Sequence, residues 1–199
     1  MAESHYRVKV ERDHLKKLAT AKPIQALSEL IWNAFDADAT RVSVEIESDD
    51  VSMRSVTVTD NGHGIAHSEV ESQFGQLGGS WKRGGSTSKV KGRILHGKEG
   101  KGRLQALALG RSAVWTVRYL DGKKLLGYRI SLLRDDLVEV RVTNPEEVEM
   151  ALGPGVEVTV SEFDRTYRSL QPNNSVQALS EVFALYLTDY KDVSVYVET

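Results

Sequence analysis

The sequence predicts an α+β fold in which a mostly antiparallel mixed sheet has helices packed on one face. The first observation is that apolar residues alternate with a period of two in a series of short segments, several of which follow one another directly. The second is that two longer segments, around residues 30 and 180, contain apolar residues at helical spacing.

The boundaries of the elements follow from these patterns. Pro23 suits the first turn of a helix, where its missing N–H leaves no hydrogen bond unmade. That helix is predicted to run to about Ala37, with Leu27, Ile31 and Ala34 on its core face. The other predicted helices cover residues 12–19, 104–109 and 176–187. The predicted strands cover residues 6–10, 41–47, 55–60, 114–119, 125–132, 137–142, 156–160 and 193–197.

The composition is that of one globular domain over residues 1–199. Hydrophobic residues make up 40% of the chain and charged residues 27%, which argues against wholesale disorder. There is no internal repeat or evident linker, and the absence of cysteine excludes disulfides, thiolate metal sites and cysteine nucleophiles. No apolar run approaches the roughly 18 residues of a membrane span, and no secretory signal is visible. We therefore expect a cytoplasmic location and no membrane partner.

Positive charge is concentrated in residues 82–103, which contain eight Lys or Arg and one acid in a chain of net charge −2. The same region is rich in glycine, because nine of the 16 glycines lie between Gly75 and Gly102. A basic segment in an otherwise acidic protein favours a ligand with phosphate groups. The weakly patterned stretch from about Ala66 to Gly102 predicts a lid that closes over phosphates, although a solvated surface loop has the same composition.

The first candidate motif is a polar face of the predicted helix 23–37. Glu29, Asn33 and Asp36 stand at positions i, i+4 and i+7 and therefore share one side of the helix. The carboxylate of Glu29 can polarise a water molecule, and the amide oxygen of Asn33 can bind Mg²⁺, which prefers oxygen ligands. A solvent-exposed polar stripe would explain the same spacing.

The second motif, DNGHGI at residues 60–65, directly follows a predicted strand. Its glycines, Gly62 and Gly64, permit a tight turn and the close approach of a ligand to the backbone. An ionised carboxylate only accepts hydrogen bonds, so Asp60 is suited to bind an exocyclic amine such as that of adenine. A β-turn capped by its own aspartate is the simpler explanation of this motif alone.

The third motif, GKEGKGR at residues 97–103, precedes the predicted helix 104–109. Free N–H groups at a glycine-rich helix N-terminus bind anions, and Lys98, Lys101 and Arg103 add positive charge. The pattern is neither a P-loop nor a dinucleotide fingerprint. A flexible loop before a helix is the simpler explanation here.

In order and spacing, the three motifs resemble those of the GHKL ATPase superfamily. This group has the Bergerat ATP-binding fold and includes the gyrase B subunit, the 90-kDa heat-shock chaperone, MutL and the sensor histidine kinases. The resemblance covers about residues 23–160. It implies a two-layer α/β sandwich that binds ATP with Mg²⁺ between its helix layer and a glycine-rich lid.

The resemblance also implies a role for each motif residue. Glu29 would be the general base that activates the attacking water, Asn33 the Mg²⁺ ligand, and Asp36 an acid that organises the site. Asp60 would bind the adenine amino group. The other implied ATP-binding residues are Gly62, Gly64 and Ile65 around the base, Gly97, Lys98, Gly100, Lys101, Gly102 and Arg103 around the phosphates, and Thr159 near the adenine.

Thr159 departs from the family pattern. Many relatives have a threonine just after a glycine on a late strand, whereas this chain has Val156 after Gly155. Thr159 is the nearest substitute, but a residue three positions along a strand faces the other side of the sheet.

The form of the first motif resembles the hydrolytic branches, including chaperone-like and MutL-like bacterial members. Thr87-Ser88-Lys89 is similar to a Thr-Ser-Lys segment of MutL proteins. The resemblance therefore implies an ATPase that acts as a conformational switch through ATP-dependent dimerisation, in DNA repair or phage defence. We expect the chain to be the N-terminal part of a longer protein, with weak turnover by itself. Nucleic-acid or effector-protein partners would bind through the other domains.

Three alternatives remain open at the level of sequence. The first is a nucleotide-binding regulatory module that does not hydrolyse ATP, which Glu29 disfavours because binding alone needs no general base. The second is a histidine-kinase-like ATP-binding domain, which Asp36 and the lack of a phosphoacceptor helix disfavour. The third is nucleic-acid binding through residues 82–103, which have one aromatic, Trp81, at their edge. Each of the five histidines is interpreted as a surface residue.

Overall fold

The computed structural model of this chain describes residues 3–7, 21–49, 52–74, 87–96 and 102–198. Within these ranges the α-helices are α1 (Pro23–Asp36), α2 (Val70–Phe74), α3 (Gly102–Leu109) and α4 (Pro172–Asp189). Short 3₁₀ helices cover His67–Glu69, Met150–Leu152 and Arg168–Leu170. None of the helices described is both long and apolar enough to cross a bilayer.

The strands are β1 (Glu3–Arg7), β2 (Arg41–Ser48), β3 (Met53–Asp60), β4 (Ser112–Asp121), β5 (Lys124–Leu133), β6 (Asp136–Thr143), β7 (Glu146–Glu147), β8 (Gly155–Ser161) and β9 (Ser194–Glu198). They form one mixed sheet, in the order β1-β6-β5-β4-β8-β3-β2-β9, with β7 paired to β5. Neighbouring strands are antiparallel except for β2 and β9, which are parallel. The predicted mostly antiparallel mixed sheet is thus confirmed.

Each predicted strand, and each predicted helix within the described residues, corresponds to an element of the structure, although the ends differ by up to four residues. Strand β1 begins at Glu3, three residues earlier than predicted. The predicted helix 12–19 lies outside the described residues. Part of the glycine-rich stretch that was expected to be a loop is helix α2. This helix forms because Val70 and Phe74, one helical turn apart, are both buried in the core, at 0% and 4% exposure.

The core lies between the helices and one face of the sheet. In the central strands alternate residues are buried, such as Val56 and Val58 in β3 and Val158 in β8. Helix α1 contributes Leu27 and Ile31, which are completely buried. Burial of an apolar side chain of this size stabilises a protein by about 1.5–3 kcal/mol. Because this side of α1 is held against the sheet, the rotation of the helix about its axis is fixed.

An aromatic cluster joins α1 to the C-terminal helix α4. The rings of Phe35 and Phe183 lie edge to face at 5.5 Å, and Tyr186 stacks on Phe35 at 4.6 Å. Trp32 also contacts Phe183, with ring centroids 4.9 Å apart. Aromatic pairs of this kind contribute about 0.5–1.5 kcal/mol beyond their burial. The cluster therefore fixes the C-terminal half of α1 against α4.

Candidate functional site

A cleft opens between helix α1 and the sheet, at the end of strand β3. Its apolar floor comes from α1, α2 and the neighbouring strands β3, β8 and β4, and consists of Leu30, Phe74, Val58, Val156, Val158 and Trp115. Polar side chains stand around this floor: Asn33 and Asp36 from α1, Asp60 at the end of β3, and His63 in the turn that follows. An apolar pocket with a few converging polar groups is the usual form of a small-molecule site.

Asp60 is a buried carboxylate, 8% exposed, at the last position of β3. Its Oδ1 accepts hydrogen bonds from the backbone N–H groups of Gly62 at 2.8 Å and Val156 at 3.3 Å. Within the described part of the chain no group donates to Oδ2, and Asp60 lines the cleft. Burial raises the pKa of Asp60 to about 6, and the two backbone hydrogen bonds and the charge of Arg118 offset this only in part. The cleft therefore contains a hydrogen-bond acceptor that the described residues leave unused.

The two glycines of the 60–65 motif are required by the packing of the chain itself. A Cβ on Gly62 would lie 2.5 Å from the carbonyl oxygen of Ala37, just past the end of α1. Gly64 has a φ of +72°, and a Cβ there would lie 2.0 Å from the carbonyl oxygen of Arg118. Close approach of two backbone segments, rather than of a ligand, thus explains why glycine stands at both positions. Gly64 also lines the cleft.

Helix α1 brings two of its three predicted site residues to the same cleft as Asp60. Asn33 and Asp36 both line it. Asp36 is 3% exposed, and its Oδ1 accepts the backbone N–H of His96 at 2.8 Å, so a solvated polar stripe does not describe it. Glu29 is half-buried one turn before Asn33 and lies outside the cleft lining.

His63 is a cleft residue that the interpretation of the sequence missed. Its Nδ1 lies 2.7 Å from the carbonyl oxygen of Gly64. Because a carbonyl oxygen only accepts, Nδ1 donates and Nε2 is left as an acceptor. Nε2 is buried and has no partner among the residues described. Its burial follows from the turn folding back on α1, where the His63 N–H donates to the Ala37 carbonyl at 2.9 Å. No periodicity or spacing in the sequence signals that contact.

A family model described as "Histidine kinase-, DNA gyrase B-, and HSP90-like ATPase" matches residues 21–145. The match covers more than half of the chain and includes helix α1 and the 60–65 motif. The chain belongs to this ATPase family. The predicted resemblance to GHKL ATPases is therefore confirmed.

A shorter similarity connects the chain to DNA mismatch repair proteins. MutL and HexB of Streptococcus pneumoniae are each 46% identical to it over 50 residues. A MutL from a serotype 19F strain of that species is 44% identical over the same length. In each case the aligned segment is 25% of this chain and 7% of the relative. The chain thus spans less than a tenth of the length of these relatives.

The third motif of this family member lies mostly outside the described residues. This applies to Gly97, Lys98, Gly100 and Lys101. Gly102 begins helix α3, and Arg103 follows it in the same helix. The helix predicted after the glycine-rich segment is therefore present, and it packs against α1.

The last two predicted nucleotide-binding residues lie in different places. Ile65 lines the cleft, whereas Thr159 does not. Thr159 lies on the opposite face of the sheet, where its hydroxyl oxygen is 3.2 Å from that of Thr57. Strand alternation is the reason, because Val156 and Val158 of the same strand face the cleft. In β8 it is the backbone N–H of Val156 that donates to Asp60, and Thr159 leaves the candidate set.

We predict that Gly64→Ala destabilises the fold far more than Gly92→Ala. Both positions have positive φ, +72° and +66°, so both alanines suffer about 1–2 kcal/mol of backbone strain. Only the alanine at Gly64 also meets backbone, whereas nothing lies within 4 Å of a Cβ at Gly92. Displacing that backbone adds about 1–3 kcal/mol. Denaturant unfolding of both variants measures the difference, and equal losses of stability would contradict the packing role of Gly64.

Proposed function

We propose that this chain is a Mg²⁺-dependent domain that binds and hydrolyses ATP, and that its nucleotide cycle acts as a conformational switch. The observation that supports this most is the carboxylate of Asp60 in an apolar cleft. Its Oδ1 is occupied by two backbone N–H groups, which leaves Oδ2 to accept a hydrogen bond from a ligand. Membership of the ATPase family supports an adenine nucleotide as that ligand.

The polarity of the cleft suits adenine. The flat faces of the adenine ring, which make no hydrogen bonds, would lie against floor residues such as Val58, Trp115 and Val158. Its exocyclic amine is a donor and would match the unused acceptor of Asp60. Guanine has a carbonyl acceptor at the corresponding position and would oppose one acceptor with another. The same carboxylate would therefore provide both affinity and selectivity.

Asn33 is the proposed protein ligand of Mg²⁺. Its carboxamide is half-buried at the cleft and offers an oxygen of the type that Mg²⁺ prefers. Mg²⁺ at nucleotide sites is commonly held by one or two protein oxygens together with phosphates and water. The bound ion would neutralise negative charge on the phosphates.

Glu29 is the proposed general base. It precedes Asn33 by one helical turn, so α1 fixes the separation of a carboxylate from the proposed metal ligand. A carboxylate held there would orient a water molecule towards the terminal phosphate and accept its proton during attack. Asp36 would maintain the geometry of the site through its hydrogen bond from the His96 N–H, without taking part in proton transfer.

The proposed setting is DNA repair in the cytoplasm, because similar segments occur in the mismatch repair proteins MutL and HexB. ATP binding would close the glycine-rich segment over the phosphates and promote dimerisation of a longer protein, and hydrolysis would reset it. Nucleic acid or effector proteins would bind elsewhere in that protein. The chain by itself would then bind ATP but hydrolyse it slowly.

Asp60→Asn is expected to weaken ATP binding strongly. An amide has one acceptor oxygen, so its NH₂ must face either the two backbone N–H groups or the amine of the ligand. Loss of a hydrogen bond to a charged group costs about 1.5–3 kcal/mol, or about 10- to 150-fold in Kd. Calorimetric titration with ATP and ADP, with and without Mg²⁺, measures this.

The matched control is Asp136→Asn, which changes an exposed carboxylate of β6 and should bind ATP as the wild type does. A wild-type chain that binds neither nucleotide would refute the proposed function. Wild-type affinity in Asp60→Asn would instead refute the role of Asp60 alone.

Adenosine affinity should fall as the pH drops below about 6. The pKa of Asp60 is raised to about 6, so its carboxylate takes up a proton in that range and an O–H donor then competes with the adenine amine. Adenosine is the probe because the terminal phosphate of ATP titrates in the same range.

The same protonation of Asp60 affects the stability of the fold in the opposite direction, so stability should rise as the pH falls. Because the folded pKa exceeds the ordinary 3.8, the cost of burying Asp60 is largest above about pH 6 and disappears as the pH falls below 3.8.

The control for this pH dependence is His63→Gln, because His63 also lines the cleft and its buried Nε2 has no partner among the described residues. The fall in affinity should persist in that variant. Its disappearance there would contradict the assignment of this pH dependence to Asp60, and a flat profile in the wild type would contradict the raised pKa of Asp60.

Glu29→Gln should retain ATP affinity within about threefold of wild type while turnover falls by about 10²- to 10⁴-fold, since glutamine keeps the shape but cannot accept a proton. A phosphate-release assay at high protein concentration measures turnover. Glu45→Gln on β2, an exposed position, serves as the comparison and should leave turnover unchanged. Undiminished hydrolysis in Glu29→Gln would exclude this residue as the base, and rapid hydrolysis by the dilute wild-type chain would exclude the switch.

A further inference from the structure

Residues 87–96 form a turn that is docked beside the C-terminal end of α1, and we refer to it as the docked turn. Thr87 and Ile94 are β-bridge partners, and the Ser88 N–H donates to the Arg93 carbonyl at 2.7 Å, so the chain reverses direction between them. The segment belongs to the basic, glycine-rich stretch in which the sequence predicts a lid. Its contacts attach it to three separate parts of the fold.

The first attachment is to Asp38, two residues beyond the end of α1 and 8% exposed. Its Oδ1 accepts the Ser88 hydroxyl at 2.5 Å and the Lys91 N–H at 3.1 Å. Its Oδ2 accepts the Val90 N–H at 2.9 Å. Burial opposes ionisation, but the three hydrogen bonds outweigh it and lower the pKa of Asp38. One charged side chain thus fixes the tip of the docked turn to α1.

The second attachment is made by Arg93, which is 3% exposed. Its Nη1 donates to the Ala39 carbonyl at 2.6 Å, its Nη2 donates to Asp192 at 2.9 Å, and its guanidinium lies over the ring of Tyr190 at 5.5 Å. Asp192 also accepts from Lys91 Nζ at 2.6 Å, and the hydrogen bonds and charges of these two cations lower its pKa. A guanidinium this buried is costly without partners, so these contacts define one position for the turn.

The third attachment is at His96, the residue immediately before the glycine motif 97–103. Its ring stacks on Trp32, with centroids 3.7 Å apart and planes 10° from parallel. Its N–H donates to Asp36 at 2.8 Å. Trp32 and Asp36 stand on either side of Asn33 in α1. The chain that leads into the glycine motif is therefore anchored beside the polar edge of the cleft.

We propose that the docked turn fixes His96, the residue from which the glycine motif continues, near the phosphate end of the nucleotide, with Arg93 and Asp192 as positioning residues. The inference rests on the proposed ATP site and extends it to the junction between α4 and β9, where Asp192 lies. The guanidinium of Arg93 is engaged by Ala39, Asp192 and Tyr190, so it acts through the turn and not on the nucleotide. The base end of the cleft is formed independently, by β3 and β8 around Asp60.

The physical reason is preorganisation. Only residues 97–101 separate His96 from the first residue of α3, so both ends of the glycine motif are attached to α1 or to a helix packed on it. Fixed ends reduce the conformational entropy that phosphate binding must remove. Loosening the docked turn should therefore weaken the binding of a triphosphate and leave the binding of a bare nucleoside unchanged.

The test compares ATP and adenosine affinities in Asp192→Asn by calorimetry on the whole chain. We expect the Kd for ATP to rise about 2- to 30-fold and the Kd for adenosine to stay the same. Removal of a negative charge by itself would favour an anionic ligand, so simple electrostatics predicts the opposite change. Glu147→Gln is the matched control. It removes a carboxylate from the exposed ion pair between Glu147 and Lys124, whose side chains are 2.7 Å apart, in strands β7 and β5, several strands away from β9 in the sheet.

Two further variants separate positioning from folding. Ser88→Ala removes one donor to Asp38 without changing the charge. It should weaken ATP binding and leave adenosine binding unchanged, and it provides the test if Asp192→Asn does not fold. Asp192→Glu keeps the carboxylate and should restore most of the ATP affinity. Equal changes in the two affinities, or no change in either, overturn the inference.

Hydrogen exchange tests the docked turn without nucleotide. The amides of Arg93 and His96 should exchange slowly in the wild type and faster in Asp192→Asn, since both are hydrogen-bonded in the docked turn. Exchange that is equally fast in both proteins overturns the inference. A wild-type chain that binds neither ATP nor adenosine refutes the proposed function. Hydrogen exchange tests the docked turn separately, because it needs no nucleotide.

Discussion

Burial of the Asp60 carboxylate against two backbone N–H groups is the constraint on which the rest of the cleft depends. Through Oδ1 it joins the end of β3, the turn after it and the start of β8. The turn can reach this position only because Gly64 has no side chain where the Arg118 carbonyl lies. Taking a carboxylate out of water is costly, and the raised pKa of Asp60 shows that two hydrogen bonds do not fully compensate. A ligand that donates to Oδ2 would complete the compensation, which is a physical reason for a buried acid in an apolar cleft.

The two ends of the cleft are built by different means. The base end consists of sheet residues whose positions follow from strand register, such as Val58 and Val158, which are paired across β3 and β8. The other end depends on α1, on the docked turn and on the α4–β9 junction. Arg93 and Asp192 connect the docked turn to that junction, and Trp32 connects His96 to the aromatic cluster around Phe183. A change in how α4 packs would therefore reach His96 through direct contacts, and the adenine end much less.

The family match and the geometry of the cleft support different parts of the functional proposal. The match identifies the chain as a member of an ATPase family. The cleft contains an acceptor at Asp60 and a carboxamide at Asn33 on the facing helix. Glu29, outside the cleft lining, adds a carboxylate one helical turn before Asn33. The similarity to MutL and HexB spans 50 residues, which is 7% of the length of each relative.

The sequence by itself determined most strands and helices and the motif residues, because alternation, helical spacing and capping are local properties. Proline at position 23 and the apolar spacing of α1 predict that helix closely, and alternation alone puts Thr159 on the wrong face. Tertiary structure decided the rest. The burial of His63, the need for glycine at 62 and 64, and helix α2 within a glycine-rich stretch all depend on packing against distant segments. Arg93 and Asp192 are separated by 99 positions, and no local pattern pairs a basic residue in a loop with one particular acid so far along the chain. Such contacts exist only once the sheet and helices have assembled, since their free energy comes from burial that the assembled fold creates.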